Sequence, residues 1–363
     1  MQSIEINSAS SRPGHPWVGL EQLPAVPESI ADGEAVCLFD KSGHGLGCGL
    51  FDRKDGHAVW RRYTLAEAIV FDEHYVATAL IESIERRADE SCQRLVHSDA
   101  DFLPGLVVEL YGDIAAVWLE TPAVRAHERV IAEVVKEVVA PAEIVIHRGD
   151  GWRTFSGQGL KARWIEVDDL FYRIDILNTE KPRFFCDQRE QHALVGSLCE
   201  GRSMLDLFSH SGAFALHAMR SGGKRAVAVE SEGHYAKAIG ANAQRNGIAI
   251  EVVAGDALRY LEEAGPGVFD AIVCDPPAGY LRTGDRGCEL HERSFAQLAP
   301  GGLLATYSRE RGQVEFEAGV AEAAARAGRE ARIFARTSQP FDFPLLLNFP
   351  ESQQVQGLIL QVE

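Results

Sequence analysis

From about residue 200 the chain alternates short apolar runs with helix-like stretches, and this feature constrains the fold more than any other. Apolar runs fall at 203–208 (SMLDLF), 225–230 (RAVAVE), 250–256 (IEVVAGD), 269–275 (FDAIVCD) and 301–308 (GGLLATYS). Helices are predicted between them, one starting at Ala213 and one over about 233–246, and the runs ARIFART and VQGLILQV close the chain. Parallel strands cannot be joined by a tight turn; they need a crossover, usually a helix. The pattern therefore predicts an α/β domain with a mainly parallel sheet and helices on both faces. In such folds a ligand binds at the carboxyl ends of the strands.

The residues at those ends carry chemistry. The first run turns into its helix through Asp206-Leu-Phe208-Ser209-His210-Ser211-Gly212. Small residues there let the backbone approach a ligand, and helix N-terminal amides favour a carboxylate or phosphate. The second run ends in Glu230, 24 residues after Asp206, where an acid is the usual partner of ribose hydroxyls. The third gives Gly255-Asp256-Ala257 and the fourth Asp275-Pro276-Pro277, with Tyr280 just beyond. Two prolines after an acid make a stiff turn with two fewer backbone donors. Any one of these acids alone reads as a turn or cap residue; the four together, in this order and at this spacing, are a strong signal.

The N-terminal half is organised differently. Residues 33–62 hold three strand-like runs separated by turn residues, and GHGLGCGL places His44, Leu46, Cys48 and Leu50 on one face of a strand with glycines on the other. This predicts a small β-barrel with a close-packed glycine face, not a phosphate loop. A helix is predicted over 72–90, strands at 93–97, 106–111 and 114–119, a second helix over about 123–139 with Val130, Val134 and Val138 at i, i+4, i+8, and a β-rich stretch at 143–178. The division is 1–73 (β-rich), 74–182 (middle α+β) and 183–363 (α/β).

Charge and cysteine usage bound the partners. The 363 residues carry 36 Lys+Arg against 53 Asp+Glu, a formal charge of −17, and acids outnumber bases in each of the three divisions. An RNA-binding face must then be a local patch, since phosphate binding is mainly electrostatic; Arg61, Arg62, Arg86 and Arg87 are candidates. Seven scattered cysteines show no metal-ligand spacing, so no metal is expected. With no basic start followed by an apolar core, and no apolar run of ~18 residues, the expected location is a reducing cytoplasm with free thiols.

The segments LDLFSHSGAF, VAVES, GDAL and CDPPAGY resemble those of class I S-adenosylmethionine-dependent methyltransferases. FSHSGAF resembles the FSYTGGF form of an RNA-modifying branch, and RPGHPWV, GLGCGLFD, RLVHSDADFLPGLVVELYGD and RFFCDQRE are similar to segments of large-subunit rRNA methyltransferases of the cytosine-C5, RlmI-like type. The resemblance covers nearly the whole chain. It implies an N-terminal PUA-like domain, a middle α+β domain and a Rossmann-like methyltransferase domain, with S-adenosyl-L-methionine as cofactor and rRNA or a ribosomal subunit precursor as partner; a homodimer is neither required nor excluded. It further implies that Ser209, His210, Ser211, Gly212, Ala213 and Phe214 approach the methionine part, with Asp206 and Phe208 before them. Glu230, beside Ser231, would bind the ribose, Asp256, beside Ala257, the adenine, and Asp275 with the prolines would border the reacting methyl. The segment holding Asp187, Gln188 and Arg189 would cap the cofactor; a salt-bridge cluster is the competing reading. His15, Pro16 and Trp17 match the start of the PUA-like domain and are read as packing residues.

One position departs from the family. Methylation at cytosine C5 needs a cysteine thiolate to attack C6. The family's cysteine follows the serine of a TFSCS segment; here Ala305-Thr-Tyr-Ser-Arg309-Glu-Arg311 stands there, and Arg309 takes the cysteine's place. Cys274 is expected to point away from Asp275, and Cys288 is the remaining thiol candidate. The alternative is chemistry without a covalent catalyst, at guanine N7 or an exocyclic amine, as in a guanine-N7 branch whose FSNNKRG-like segment TYSRERG also resembles. Asp275, Pro276, Pro277, Tyr280 and Arg309 are the candidate catalytic residues. A small-molecule or protein methyltransferase, or a non-catalytic cofactor-binding protein, are the competing functions.

Overall fold

The computed structural model describes residues 2–6, 14–23, 29–52, 59–179, 184–282, 286–310 and 312–363. They form two compact units. The first takes in 1–161, 176–180 and 341–352, and the second 162–175, 181–340 and 353–363. The hairpin at 163–174 thus falls in the second unit, ahead of the 182/183 division, and 341–352 falls in the first.

In the first unit, β1 (Gln2–Glu5), β2 (Trp17–Val18), β3 (Ala35–Phe39), β4 (Gly45–Phe51) and β5 (Trp60–Thr64) make one sheet in the order β1-β3-β4-β5-β2. Among the described residues no pairing joins β2 to β1. The glycine face is close-packed as expected. A Cβ on Gly47, whose φ is +100°, would lie 2.1 Å from the Thr64 carbonyl, and one on Gly49 would strike the Trp60 indole. Cys37 and Cys48 are not free: they face each other across β3 and β4 and form a disulfide. Eleven residues of sequence separation hide a pairing that only strand register reveals.

After this sheet, α1 (Glu73–Glu85) is capped by Asp72, which accepts from the Tyr75 amide at 3.0 Å. Then come β6 (Cys92–His97), β7 (Leu106–Tyr111), β8 (Ile114–Leu119), α2 (Pro122–Arg125), α3 (Glu128–Val138), β9 (Glu143–His147) and β10 (Trp152–Thr154). The sheet order is β10-β9-β8-β7-β6. Val76 and Leu80 of α1 and Ile131, Val134 and Val135 of α3 share a core with Val96, Val108, Val117 and Ile146 of the sheet. The single helix expected over 123–139 is two helices. His127 leaves helical geometry at the break, and its ring N–H donates to the Gly33 carbonyl at 2.7 Å.

The second unit opens with the hairpin β11 (Arg163–Val167) and β12 (Leu170–Ile174), followed by α4 (Arg189–Ser197). Next are β13 (Ser203–Leu207), α5 (Ala213–Arg220), β14 (Arg225–Glu230), α6 (Gly233–Asn246), β15 (Glu251–Ala254), α7 (Ala257–Glu263) and β16 (Phe269–Cys274). Then α8 (Arg286–Gln297), β17 (Leu298–Ser308), α9 (Gln313–Arg326), β18 (Ala331–Ser338) and β19 (Gln356–Val362) complete it. The seven strands run β15-β14-β13-β16-β17-β19-β18, parallel except around β19. Strand order reverses between β13 and β16, which opens a crevice at their carboxyl ends. No helix among the described residues is long and apolar enough to cross a membrane.

Candidate active site

At that crevice the chain leaves β13 on a strained path. Phe208, His210 and Gly212 all have positive φ, +60°, +49° and +77°. A non-glycine residue in this region costs of order 1–3 kcal/mol, and the loop holds two. Hydrogen bonds fix it. Asp206 Oδ2 accepts from Ser209 Oγ at 2.5 Å and from the Ala215 amide at 3.3 Å, so the acid sits at the start of α5. The Asn242 side chain donates to the Ser211 carbonyl at 2.9 Å. Gly212 is glycine for packing rather than for ligand approach: a Cβ there would meet Ile239 of α6 at 2.8 Å.

Beneath this loop lies a cavity of about 270 Å³. Of the expected residues, Phe208, Ser209, His210, Ser211, Phe214, Glu230, Ser231, Asp275, Pro276, Pro277 and Arg309 line it. Gly212, Ala213, Asp206, Gln188, Arg189 and Tyr280 do not, although Asp206 and Gln188 are buried and Tyr280 packs edge-on against Phe208 at 4.9 Å. Asp256 and Ala257 also lie outside the lining; the Asp256 carboxylate caps α7 by accepting from the Arg259 amide at 3.1 Å. Phe185, His192 and Tyr235 line the cavity and were not singled out by sequence. Phe185 stacks on His210 at 4.3 Å, and His210 lies 4.5 Å from Tyr235.

Glu230 is locked in place. Its Oε2 accepts from the His210 amide at 2.9 Å and its Oε1 from the Glu232 amide at 2.9 Å. Each carboxylate oxygen has two lone-pair sites, so acceptor capacity remains on the cavity side. Asp206 is different: burial, with lesser contributions from Asp275 and Glu230, pushes its pKa up to about 7. Its Oδ1 has no hydrogen-bond partner.

Arg309 occupies the end of β17 as an ion-paired group, not as part of a solvated loop. It donates to Asp275 Oδ1 at 2.5 Å and lies 3.4 Å from Asp187 Oδ2, with its side chain 19% exposed. Burial opposes its charge, but the two aspartates outweigh burial and raise its pKa. Asp187 thus takes part in a salt bridge, as the competing reading has it, and does not line the cavity. Arg311 lies outside the described residues. No described cysteine lines the cavity. Cys274 is fully buried against Ser294, and burial pushes its thiol up to about 12. Cys288 is half-buried on α8.

The candidate RNA-contacting arginines of the first unit are engaged internally. Arg61 lies over Trp17 and 3.4 Å from Asp99, Arg62 donates to the Gly14 carbonyl, and Arg86 and Arg87 both pair with Asp101. His15 and Trp17 pack edge-on with Phe349, as packing residues do.

S-adenosylmethionine carries an aromatic base, a ribose diol and two cationic centres. The residues present suit all three: aromatic walls from Phe185, Phe208 and Tyr235, a fixed carboxylate at Glu230, and a further acid at Asp275.

Among known proteins, residues 188–306 match the family model "Conserved hypothetical protein 95" and residues 8–61 a PUA-like domain. The chain is 27% identical over 381 residues to ribosomal RNA large subunit methyltransferase I of Aeromonas salmonicida (strain A449), covering 96% of this chain and 95% of the relative. It is 27% identical over 392 residues to a ribosomal RNA large subunit methyltransferase of Deinococcus radiodurans, covering 97% and 94%. In fold it matches a structure from Streptococcus mutans assigned as a SAM-dependent methyltransferase, with TM-score 0.87 and 16% identity over 99% of this chain and 100% of that one.

Proposed function

We propose that this chain, an S-adenosylmethionine-dependent class I methyltransferase related over nearly all its length to ribosomal RNA large subunit methyltransferases, methylates a base of structured 23S-type rRNA at a guanine or amino nitrogen. The observation that carries the choice of atom is Arg309. A charged guanidinium bound to Asp275 stands where C5 chemistry needs a thiolate.

When bound, the cofactor supplies an electrophilic methyl on its sulfonium. Glu230 holds the ribose hydroxyls with a carboxylate that two backbone amides have already oriented. The strained Phe208–Gly212 loop and Phe185 line the cofactor's cavity and keep water out. The Asp275-Pro-Pro turn borders the path of the incoming base, which must leave its stack to reach the cavity. A guanidinium has five N–H donors; those of Arg309 not held by Asp275 and Asp187 suit the O6 acceptor of guanine and leave its nitrogen lone pairs free to attack. A ring or exocyclic nitrogen then needs positioning rather than covalent activation.

The test is incubation with methyl-labelled cofactor and unmodified large-subunit rRNA or subunits, followed by digestion to nucleosides. A labelled guanosine or N-methylated base is expected. Labelled 5-methylcytidine would overturn the choice of atom, and no label despite cofactor binding would overturn the rRNA substrate. A small-molecule or protein substrate is the second reading, favoured by the charge of −17 and the internally paired arginines. Binding to rRNA fragments that weakens steeply with salt separates the two.

A further inference from the structure

His192 of α4 lines the cavity and is 4% exposed, yet neither ring nitrogen has a hydrogen bond, and Nδ1 is wholly buried. Its ring neighbours are aromatic. Phe214 lies edge-on at 4.5 Å, Phe184 at 5.5 Å, and His217 of α5, whose Nε2 is also buried without a partner, at 6.0 Å. Four residues earlier, on the same helical side, Gln188 is fully buried with both amide atoms unpartnered. Buried polar groups in proteins are nearly always hydrogen-bonded, and one left unpaired is costly. Packing does not require a histidine here; an apolar side chain of similar size fits the same rings. The polar atoms are kept for something that enters the cavity.

The donors already in use indicate what enters. Arg309 is held by Asp275 and Asp187, with its remaining N–H groups assigned above to the incoming base, Ser209 Oγ is held by Asp206, and the His210 amide by Glu230. The lining acids Glu230 and Asp275 offer acceptors to a cationic ligand group but repel an anionic one. A ligand carrying an amino-acid moiety brings both. Its ammonium has acceptors in plenty; its carboxylate needs a donor away from those acids. We propose that His192, through a ring N–H, binds the carboxylate of the cofactor's amino-acid part, with Gln188 alongside it. Desolvation keeps the imidazole neutral in the empty cavity, its pKa well below the ordinary value, so it acts as a hydrogen-bond donor rather than a standing charge.

This inference rests on the cofactor reading, and the test separates the two. Calorimetry on the full chain compares three probes: S-adenosylmethionine, its decarboxylated form, and 5′-methylthioadenosine, which lacks the whole amino-acid part. His192→Leu is expected to weaken S-adenosylmethionine about tenfold or more, as for one charge-assisted hydrogen bond, and to change the other two less than twofold. His192→Gln, which keeps a donor, is expected to recover part of the loss. The ligand-free His192→Leu protein is expected to melt at the same temperature as the unaltered chain or higher. Equal weakening of all three probes, or of none, would overturn the role, as would a lowered melting temperature with uniform loss. Failure of the unaltered chain to bind any probe would overturn the cofactor reading and this inference with it.

Discussion

The two units bury charge in opposite ways. In the first, buried charges close on one another. Arg87 pairs with Asp101 at 2.5 Å, Arg94 with Glu109 at 2.6 Å, the Tyr111 hydroxyl donates to Glu109 at 2.6 Å, and the Trp17 indole to Asp99 at 2.7 Å. Unpartnered atoms there are isolated, such as Gln93 Oε1. In the second unit several belong to the segments around the crevice, Asp206 Oδ1, Asp187 Oδ1, both amide atoms of Gln188, His192 Nδ1 and the Tyr307 hydroxyl, although Gln297 Oε1, Arg329 Nη2 and Gln356 Oε1 are unpartnered as well. The same low-dielectric interior that strengthens a satisfied network makes an unsatisfied one expensive. The first arrangement specifies a packing; the second gives up stability where a ligand will enter.

The contrast can be broken most sharply from the paired side. Asp101→Ala strands the Arg87 guanidinium, which is 2% exposed, and is expected to cost about 3–5 kcal/mol, read as a large fall in denaturation midpoint. A loss under 1 kcal/mol would mean that the network is not closed.

Asp206 should behave in the opposite sense. Its folded pKa is raised from 3.8 to about 7, so the native state favours the protonated acid. That contribution is complete below about pH 3.8 and is lost as pH rises through 7. Asp206→Asn in the ligand-free protein is therefore expected to gain stability above pH 7, by up to about 4 kcal/mol at 1.36 kcal/mol per unit. The two curves should converge near pH 4. A variant less stable than the parent at pH 8 would contradict the assignment. In the first unit, burial depresses His97 to about 3. Its contribution is full above about pH 6.5 and disappears as pH falls toward 3, so His97→Gln should flatten acid destabilisation in that window.

Smaller effects sharpen the site itself. Glu230→Ala is expected to weaken cofactor binding about 100-fold, the worth of two hydrogen bonds to a charged group, while leaving the melting of the first unit unchanged. Arg309→Lys keeps the charge but loses the planar fork; turnover should fall about tenfold with cofactor affinity unaltered. Cys288→Ser should leave turnover within about twofold, because positioning chemistry needs no thiol. A loss above 100-fold there would restore covalent catalysis.

How much the sequence disclosed follows from how local each cause is. β7, β8, β14 and α6 match their expected bounds because buried apolar runs flanked by turn residues are local signals. Glu230 and Asp275 reach the cavity because strand ends do so in any doubly wound sheet. Asp256 shares the pattern but is drawn into capping α7, a local bond that competes with any distant ligand. The break at His127 depends on Gly33, 94 residues away. The pairing of Cys37 with Cys48 depends on strand register. His192, Phe185 and Tyr235 sit on helices and turns whose facing partners no periodicity reveals. Only the stretch RFFCDQRE drew attention near two of them.

The segment 341–352 connects β18 to β19, yet it belongs to the first unit. There Asp342 accepts from the Arg94 amide at 2.7 Å and from Arg87 through its carbonyl, and the His97 ring N–H donates to the Ser352 carbonyl at 2.9 Å. During synthesis the chain is made from its N-terminus. The residues that dress Arg87, Arg94, His97 and Trp17 therefore emerge only when nearly the whole polypeptide has been translated. A ribosome that stalls after 161 leaves the first unit without its last layer. Cutting the gene between the units yields no fragment holding all of the first. The two units are interleaved in sequence and inseparable in inheritance.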